Sequence, residues 1–353
     1  MRRTTVLTLM ASGLVACENL TEPARPKASP GAKPDLARAP VVSVTDLSTL
    51  PGGTFTDAQN INEPGQVVGF GVIANVFGEE ERHAVLWENG TGTDLGTLPG
   101  GTESAAEAIN NRGQIVGYSE ASPEEFHAVL WQDGTITDLG TLPGFPVTSA
   151  NDINELGQVV GGSGTAAGEG HAFLWQNGTI ADLGTLGGTF SRAFAINNRG
   201  QVVGESTTAT GEERHAVRWE NGTITDLGTL PGGTGSGARD INERGQVVGF
   251  SGTATGGFHA VLWESGTITD LGTLGGTFSA ASGINNRGQV VGGSGTATGE
   301  GHAALWQDGT VLDLGTLPGG TGSDASEINN LSQVVGESRT ATGVVHAALW
   351  TLQ

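Results

Sequence analysis

Ser149-Ala150-Asn151-Asp152-Ile153-Asn154, then Gly157-Gln158-Val159-Val160-Gly161, then His171-Ala172-Phe173-Leu174-Trp175, then Asp182-Leu183-Gly184-Thr185-Leu186 form one copy of a pattern written seven times along the chain. Short runs of Val, Ile and Thr bounded by Gly and Asn are the signature of β-strands. In this copy they predict four strands, over Ser149–Asn154, Gln158–Ser163, His171–Trp175 and Thr179–Leu183. Asn177-Gly178 joins the last two, and Asn89-Gly90, Asp133-Gly134, Asn221-Gly222 and Asp308-Gly309 stand at the same place in other copies. Such pairs suit a two-residue hairpin whose residues need positive φ. Gly65, Gly113, Gly157, Gly200, Gly245 and Gly288 mark a second tight turn, with Ser332 in the seventh place. The two remaining joins, Leu-Pro-Gly-Gly-Thr and Thr-Ala-Thr-Gly, are longer and should emerge on the opposite face.

The period is set by Trp87, Trp131, Trp175, Trp219, Trp263, Trp306 and Trp350, spaced by 44 residues with one step of 43, and these are all the tryptophans in the chain. With 60 glycines in 353 residues and few helix formers, a helical or α/β globule is excluded. Four-stranded units of this length, in seven copies, are what a β-propeller requires. The segment Val41–Leu47 matches a fourth strand without a unit, and the chain runs only three residues past Trp350, which ends a third strand. The expected fold is therefore an all-β, seven-bladed β-propeller of four-stranded blades, closed by the N-terminal strand completing the last blade. The alternative is an open β-solenoid, which gives no reason for the complementary ends. Residues 41–353 read as one domain, and a monomer is expected.

Beyond residue 40 there are ten arginines, no lysine and 34 carboxylates, a formal charge of −24. Nucleic acid is excluded as a partner, because phosphate binding draws on clustered Lys and Arg. The N-terminus points to export. Met1-Arg2-Arg3 precedes an apolar run from Val6 to Ala16, too short to span a bilayer, so residues 1–16 read as a signal peptide. Leu14-Val15-Ala16-Cys17 resembles the lipobox of bacterial lipoproteins, which implies lipid attachment at Cys17, the only cysteine. Two or more acyl chains suffice for stable anchoring. Residues 17–40 then form a lipid-anchored tether rich in Pro and Ala, with a reach of roughly 70 Å if extended. An exported lipoprotein of the outer membrane or cell surface is expected.

His171-Ala172-Phe173-Leu174-Trp175 resembles the motif that names the bacterial extracellular HAF repeat, and His-Ala-Val or His-Ala-Ala variants recur in the other copies. The resemblance covers Val41 to Gln353. It implies an exported repetitive protein and supplies no catalytic residue.

Seven histidines (His83, His127, His171, His215, His259, His302, His346) and seven aspartates (Asp46, Asp94, Asp138, Asp182, Asp226, Asp270, Asp313) invite a metal or proton-transfer reading. Residues repeated in every copy are better explained as serving every copy, through hydrogen bonds that satisfy polar groups between the third and fourth strands. No catalytic, cofactor or metal residue is assigned. Gly319-Gly320-Thr321-Gly322-Ser323-Asp324 matches a calcium-binding nonapeptide only once, and that motif works in tandem, so Ca²⁺ remains a weak alternative. Specificity should lie where the copies differ. On the face of the longer joins, an acidic mouth is expected from Asp57, Glu103, Asp152, Arg239, Asp240, Asp324 and Glu327. Glu124 and Glu212 in the loops extend it, and Arg218 breaks the third-strand pattern. The leading function is a non-catalytic binding or scaffold module with a protein or polysaccharide partner at the cell envelope. The alternative is a carboxylate-based hydrolase or lyase acting on an extracellular polymer.

Overall fold

The computed structural model describes residues 42–352 apart from 75–78, 124, 166–167 and 212. The segments read as signal peptide and tether, with Cys17, and also Glu124 and Glu212 therefore lie outside the described residues. The domain is all-β and built of four-stranded antiparallel units. In the third, the strands run Val147–Ile153, Val159–Gly164, Gly170–Gln176 and Thr179–Asp182, each paired with the next in sequence. These spans match the expected ones to within two residues. Five sheets have four strands, and an eight-stranded sheet joins the third and fourth units through one parallel bridge, Gly170 to Phe190.

The repeated words of the sequence each have a packing reason. Val159 and Val160 are adjacent in one strand, point to opposite faces, and are both fully buried. Val159 packs with Ala150 and Phe173 of its own unit against Val116 and Leu139 of the preceding one. Val160 packs with Ala172 against Ile196 and Trp219 of the following one. The hydrophobic core is thus divided among interfaces between neighbours, which is how a repeat array can exceed the size one core could fill. Gly161 completes the word because a Cβ there would lie 2.0 Å from the Ser149 carbonyl oxygen. The hairpins are of the expected kind, with Asn177 at φ 51° and Gly178 at 79°, and Ser265-Gly266 adopts the same turn with a serine. Ser332 keeps a left-handed φ of 60° and donates its hydroxyl to Gln289 Oε1 at 2.8 Å.

The two ends of the domain meet. Strand Val42–Asp46 lies antiparallel to Val345–Leu352, with Val42 opposite Leu352 and Asp46 opposite Ala348. Leu47, Leu50 and Trp87 share a core cluster with Val335 and Ala347. The first strands of successive units touch in an unbroken circle that returns from Ser323–Ile328 to Gly53–Ile61. Side-chain hydrogen bonds follow the same circle. Asn62 Nδ2 donates to the Asn110 carbonyl, and the relay continues through Asn154, Asn197, Asn242, Asn285 and Asn329 back to the Asn62 carbonyl, at 3.1–3.2 Å throughout. A second relay, from each next backbone N–H to an Asn or Glu side chain of the following unit, also closes, with Asn330 N donating to Glu63 Oε1 at 3.1 Å.

Candidate functional site

Each repeated histidine lies with Nδ1 2.6–2.8 Å from a repeated aspartate, from His83 and Asp94 through to His346 and Asp46, which are 300 residues apart. The other carboxylate oxygen accepts a backbone N–H two residues on, such as Gly184 N to Asp182 Oδ1 at 2.7 Å. The pair thereby ties the third strand to the turn that leaves the fourth. Its hydrogen bond with Asp94 raises the pKa of His83, burial opposing. Asp94 is held below its ordinary value, the His83 and Gly96 hydrogen bonds outweighing its burial. Among the described residues no group of three His, Cys, Asp or Glu side chains is arranged to hold a metal ion.

The structure divides the residues assigned to one acidic mouth. Asp152, Asp240 and Glu327 occupy the position just before the inner-strand isoleucine. They line a cavity of about 200 Å³ at the end of the circle formed by the Asn relay, beside the tight turns and not the longer joins. Asp152 Oδ2 accepts the N–H of Ile196 in the next unit at 2.8 Å, while Oδ1 accepts from Ile153 at 2.7 Å. Asp240 repeats this with Ile284 and Ile241 at 2.7 and 2.6 Å. Enclosure by protein pushes Asp152 up to about 7 and Asp240 to about 6, with those N–H groups pulling the other way. Glu327 is raised well above its ordinary value, by burial first and then by Asp240.

Asp57, Arg239 and Asp324 sit farther along the inner strands, with Glu107 and Arg192. Here three carboxylates gather on one side, where Arg82 opposes Asp57 and Glu107, and guanidinium groups on the other, where Glu205 is the accompanying carboxylate. On one side, burial raises Asp57 well above a normal carboxyl, helped by Glu337, Glu107 and Asp324. Glu107 and Asp324 are each pushed up to about 7, chiefly by burial. Glu103, half-buried and raised by burial, stands nearer the loops, where Arg82 opposes the shift. On the other side, Arg239 lies 4.1 Å over the Phe194 ring and 5.1 Å from that of Phe250. Arg192 donates Nη2 to Asn151 Oδ1 at 2.8 Å, but its Nε is buried without a partner. Arg214 stacks 4.1 Å over Phe190 and pairs with Glu205 at 2.7 Å. Burial lowers the pKa of Arg192 and Arg239, so both cations sit where water solvates them poorly.

Several contributors escaped the sequence reading. Phe70, Glu205, Phe250 and Glu337 follow Val-Val-Gly, and Tyr118 follows Ile-Val-Gly, on the second strands, where the other copies have Gly162 and Gly293. Those two glycines make room: a Cβ on Gly162 would meet Arg192 Cγ at 3.1 Å, and one on Gly293 would meet Asp324 Oδ2 at 2.5 Å. Variation at that single second-strand position was the available signal. Arg218 is not part of this region; it pairs with Glu220 at 3.6 Å on its own strand.

No family model matches the chain, and no curated protein matches it. Solved structures do. A puromycin-hydrolysing peptidase of Mycobacterium tuberculosis is similar at 12% identity and a TM-score of 0.53, over 85% of this chain and 56% of its own. An acylaminoacyl peptidase of Pyrococcus horikoshii is similar at 12% identity and TM-score 0.53, over 85% and 52%. The β-propeller domain of the Trilobed protease from Pyrococcus furiosus is similar at 13% identity and TM-score 0.42, over 74% and 98%. This chain thus spans little more than half the length of either of the first two. At such identities likeness speaks to fold and not to chemistry.

Proposed function

We propose that the chain is a seven-bladed propeller, closed by its first strand, that serves as a non-catalytic binding module held at a bacterial cell envelope by lipid on Cys17. One observation carries the reading. The His, Asp and Asn side chains that repeat in every unit are absorbed by hydrogen bonds that also repeat, whereas the side chains near the axis of the circle differ from unit to unit and carry opposed charges. A binding site built by loops and strand ends on a rigid scaffold has this form.

The rival reading is hydrolysis by carboxylates, favoured by Asp152, Asp240 and Glu327 around one cavity with pKa values raised by burial. An acid and a base of that kind can cleave a glycosidic bond. Against it, Asp152 and Asp240 each spend both oxygens on backbone N–H groups of two neighbouring units, which is structural work. Pull-down from envelope extracts with the full-length chain, beside an Arg239→Gln, Glu107→Gln variant, tests the proposal. A partner held by the parent and lost by the variant is expected; equal capture by both excludes the axis as the site. Turnover on a glycan panel that vanishes in an Asp152→Ala, Asp240→Ala, Glu327→Ala variant would establish the rival. Membrane fractionation of Cys17→Ser tests the anchor, and release into the soluble fraction is expected.

A further inference from the structure

Arg239 is a cation without an anion in contact, for the carboxylate that acts on it most, Glu205, is already paired with Arg214. Its guanidinium is held between Phe194 and Phe250, and among the described residues no carboxylate or hydrogen-bond acceptor pairs with it. Arg192, from the neighbouring unit, shares the Phe194 ring at 5.2 Å and keeps a buried Nε unpartnered. An unpaired, enclosed guanidinium is costly, and folding tolerates it where something outside the chain completes it. The donors are forked and the neighbouring surface is aromatic, which fits a planar carboxylate.

The same interior space holds the opposite sign. Arg192 and Asp324 occupy equivalent positions on their inner strands, as do Arg239 and Glu107, so the two charges lie at the same depth in different units. The field of Arg192 reaches Glu107, two units away, and Asp57 feels Glu107, Asp324 and Glu337 together. Arg192 and Asp324 do not neutralise each other by contact; no ion pair joins the two sides among the described residues.

We propose that this space takes an elongated zwitterion, a short peptide with both termini free, its carboxylate on the Arg239 and Arg192 guanidinium groups and its ammonium against Glu107, Asp57 and Asp324. The inference rests on the reading that the axis of the circle is the binding site. It goes beyond it by fixing the ligand's two charges and their direction. Peptides of two to four residues span about 7 to 14 Å when extended, and this series samples the unknown separation of the two charged groups.

Isothermal titration of the purified full-length chain with di-, tri- and tetra-alanine tests it, with N-acetylated and C-amidated forms of each as second arms. At least one free peptide is expected to bind, and blocking either end to weaken it tenfold or more. Arg239→Gln should abolish the discrimination against the amide, and Glu107→Gln the discrimination against the acetylated form. Because the blocked ligands act on the unmutated chain, the result stands even if a variant folds poorly. No binding by any free peptide at millimolar concentration overturns the proposal, as does equal binding of free and blocked forms. Should the peptides fail while the envelope partner is still captured by the parent and lost by the axis variant, the zwitterion is wrong and the binding module stands. If both fail, the axis is not a site.

Discussion

Replacing Asn329 by Ala asks whether the circle is closed in solution, because this side chain makes the one link in the Asn relay that spans the ends of the sequence. Asn329 Nδ2 donates to the Asn62 carbonyl at 3.1 Å and to Gln333 Oε1 at 2.8 Å, while Oδ1 accepts from Leu331 N and Gln333 N at 3.0 Å each. Asn197 makes the same four bonds within the array, to the Asn242 carbonyl, Gln201 Oε1, Arg199 N and Gln201 N. Of these four, the i+2 N–H stands near the surface, where water can replace the lost acceptor, and the glutamine side chain can turn to another partner. The neighbouring carbonyl and the glutamine N–H are left wanting. At about 1 to 2 kcal/mol for each buried group stranded, the loss is about 3 kcal/mol. In a domain of this size that lowers the Tm by about 6 °C. Asn329→Ala and Asn197→Ala should therefore cost nearly the same in urea unfolding and in thermal melts. In an open array the Asn329 link would not exist, and its variant would lose at most the local bonds to Leu331 and Gln333. An Asn329→Ala penalty of about half the Asn197→Ala penalty or less refutes closure.

The pH dependence of stability has a definite sign. Asp152, Asp324 and Glu107 lie at about 7 and Asp240 at about 6 in the folded chain, and carboxyl groups of an unfolded chain titrate near 4. Between about pH 4 and 7 the folded form holds protons that the unfolded form has released, so stability is greatest at the acid side and falls as pH rises through that window. The urea midpoint should be higher at pH 5 than at pH 8, and Asp152→Asn, Asp240→Asn, Glu327→Gln together should flatten the slope; an unchanged slope would show that these groups do not titrate as described. Gly204→Ala should cost about 3 kcal/mol or more, since its Cβ would stand 1.9 Å from the Arg192 carbonyl oxygen. Gly222→Ala, at φ 75° with nothing within 4 Å, should cost only about 1 kcal/mol by backbone strain, and equal melts for the two would contradict the packing account. His171→Ala should cost under about 1 kcal/mol, because the His171 and Asp182 side chains are 27% and 44% exposed and water can replace the pair.

Strand order and turn chemistry were legible because each rests on local rules. Asn177-Gly178 needs only its own backbone to form a hairpin, and Val159-Val160 needs only a sheet buried on both faces. The site was less legible because it depends on which side chains of distant units share a depth. Asp152 and Asp57 both belong to inner strands, yet the bulge between Ala150 and Asp152, repeated between Ala58 and Asn60, changes which residues beyond it face inward. A strict two-residue alternation has no means of showing this, so residues at the Asn-lined end and residues farther along were read as one mouth. The second strands were passed over for a related reason. Phe250 enters the space beside Arg239 because Gly237 leaves room, a Cβ there falling 2.9 Å from the Phe250 ring.

Departures from repetition near the axis arise partly from packing alone. In the layer just before the isoleucine, Asn60, Asp152, Asp240 and Glu327 alternate with Ala108, Ala195 and Gly283. A long side chain needs a small neighbour: Asp152 crosses to Ile196 past Ala195, Asp240 to Ile284 past Gly283, and a Cβ on Gly283 would also meet Glu327 Oε1 at 2.7 Å. An odd number of positions has no perfect alternation, so two long residues, Glu327 and Asn60, must stand side by side where the circle meets. Diversity in that layer thus follows from fitting seven side chains around one axis, and by itself argues for no ligand. The next layers are different. Nothing about fitting requires three carboxylates to gather on one side and two stacked guanidinium groups on the other, nor leaves Arg239 with no carboxylate in contact, when a neutral residue would fill either place at lower cost. Excess carboxylates on one side and guanidinium groups beyond what Glu205 pairs on the other are the part of the pattern that packing does not explain, and they are where binding is to be sought.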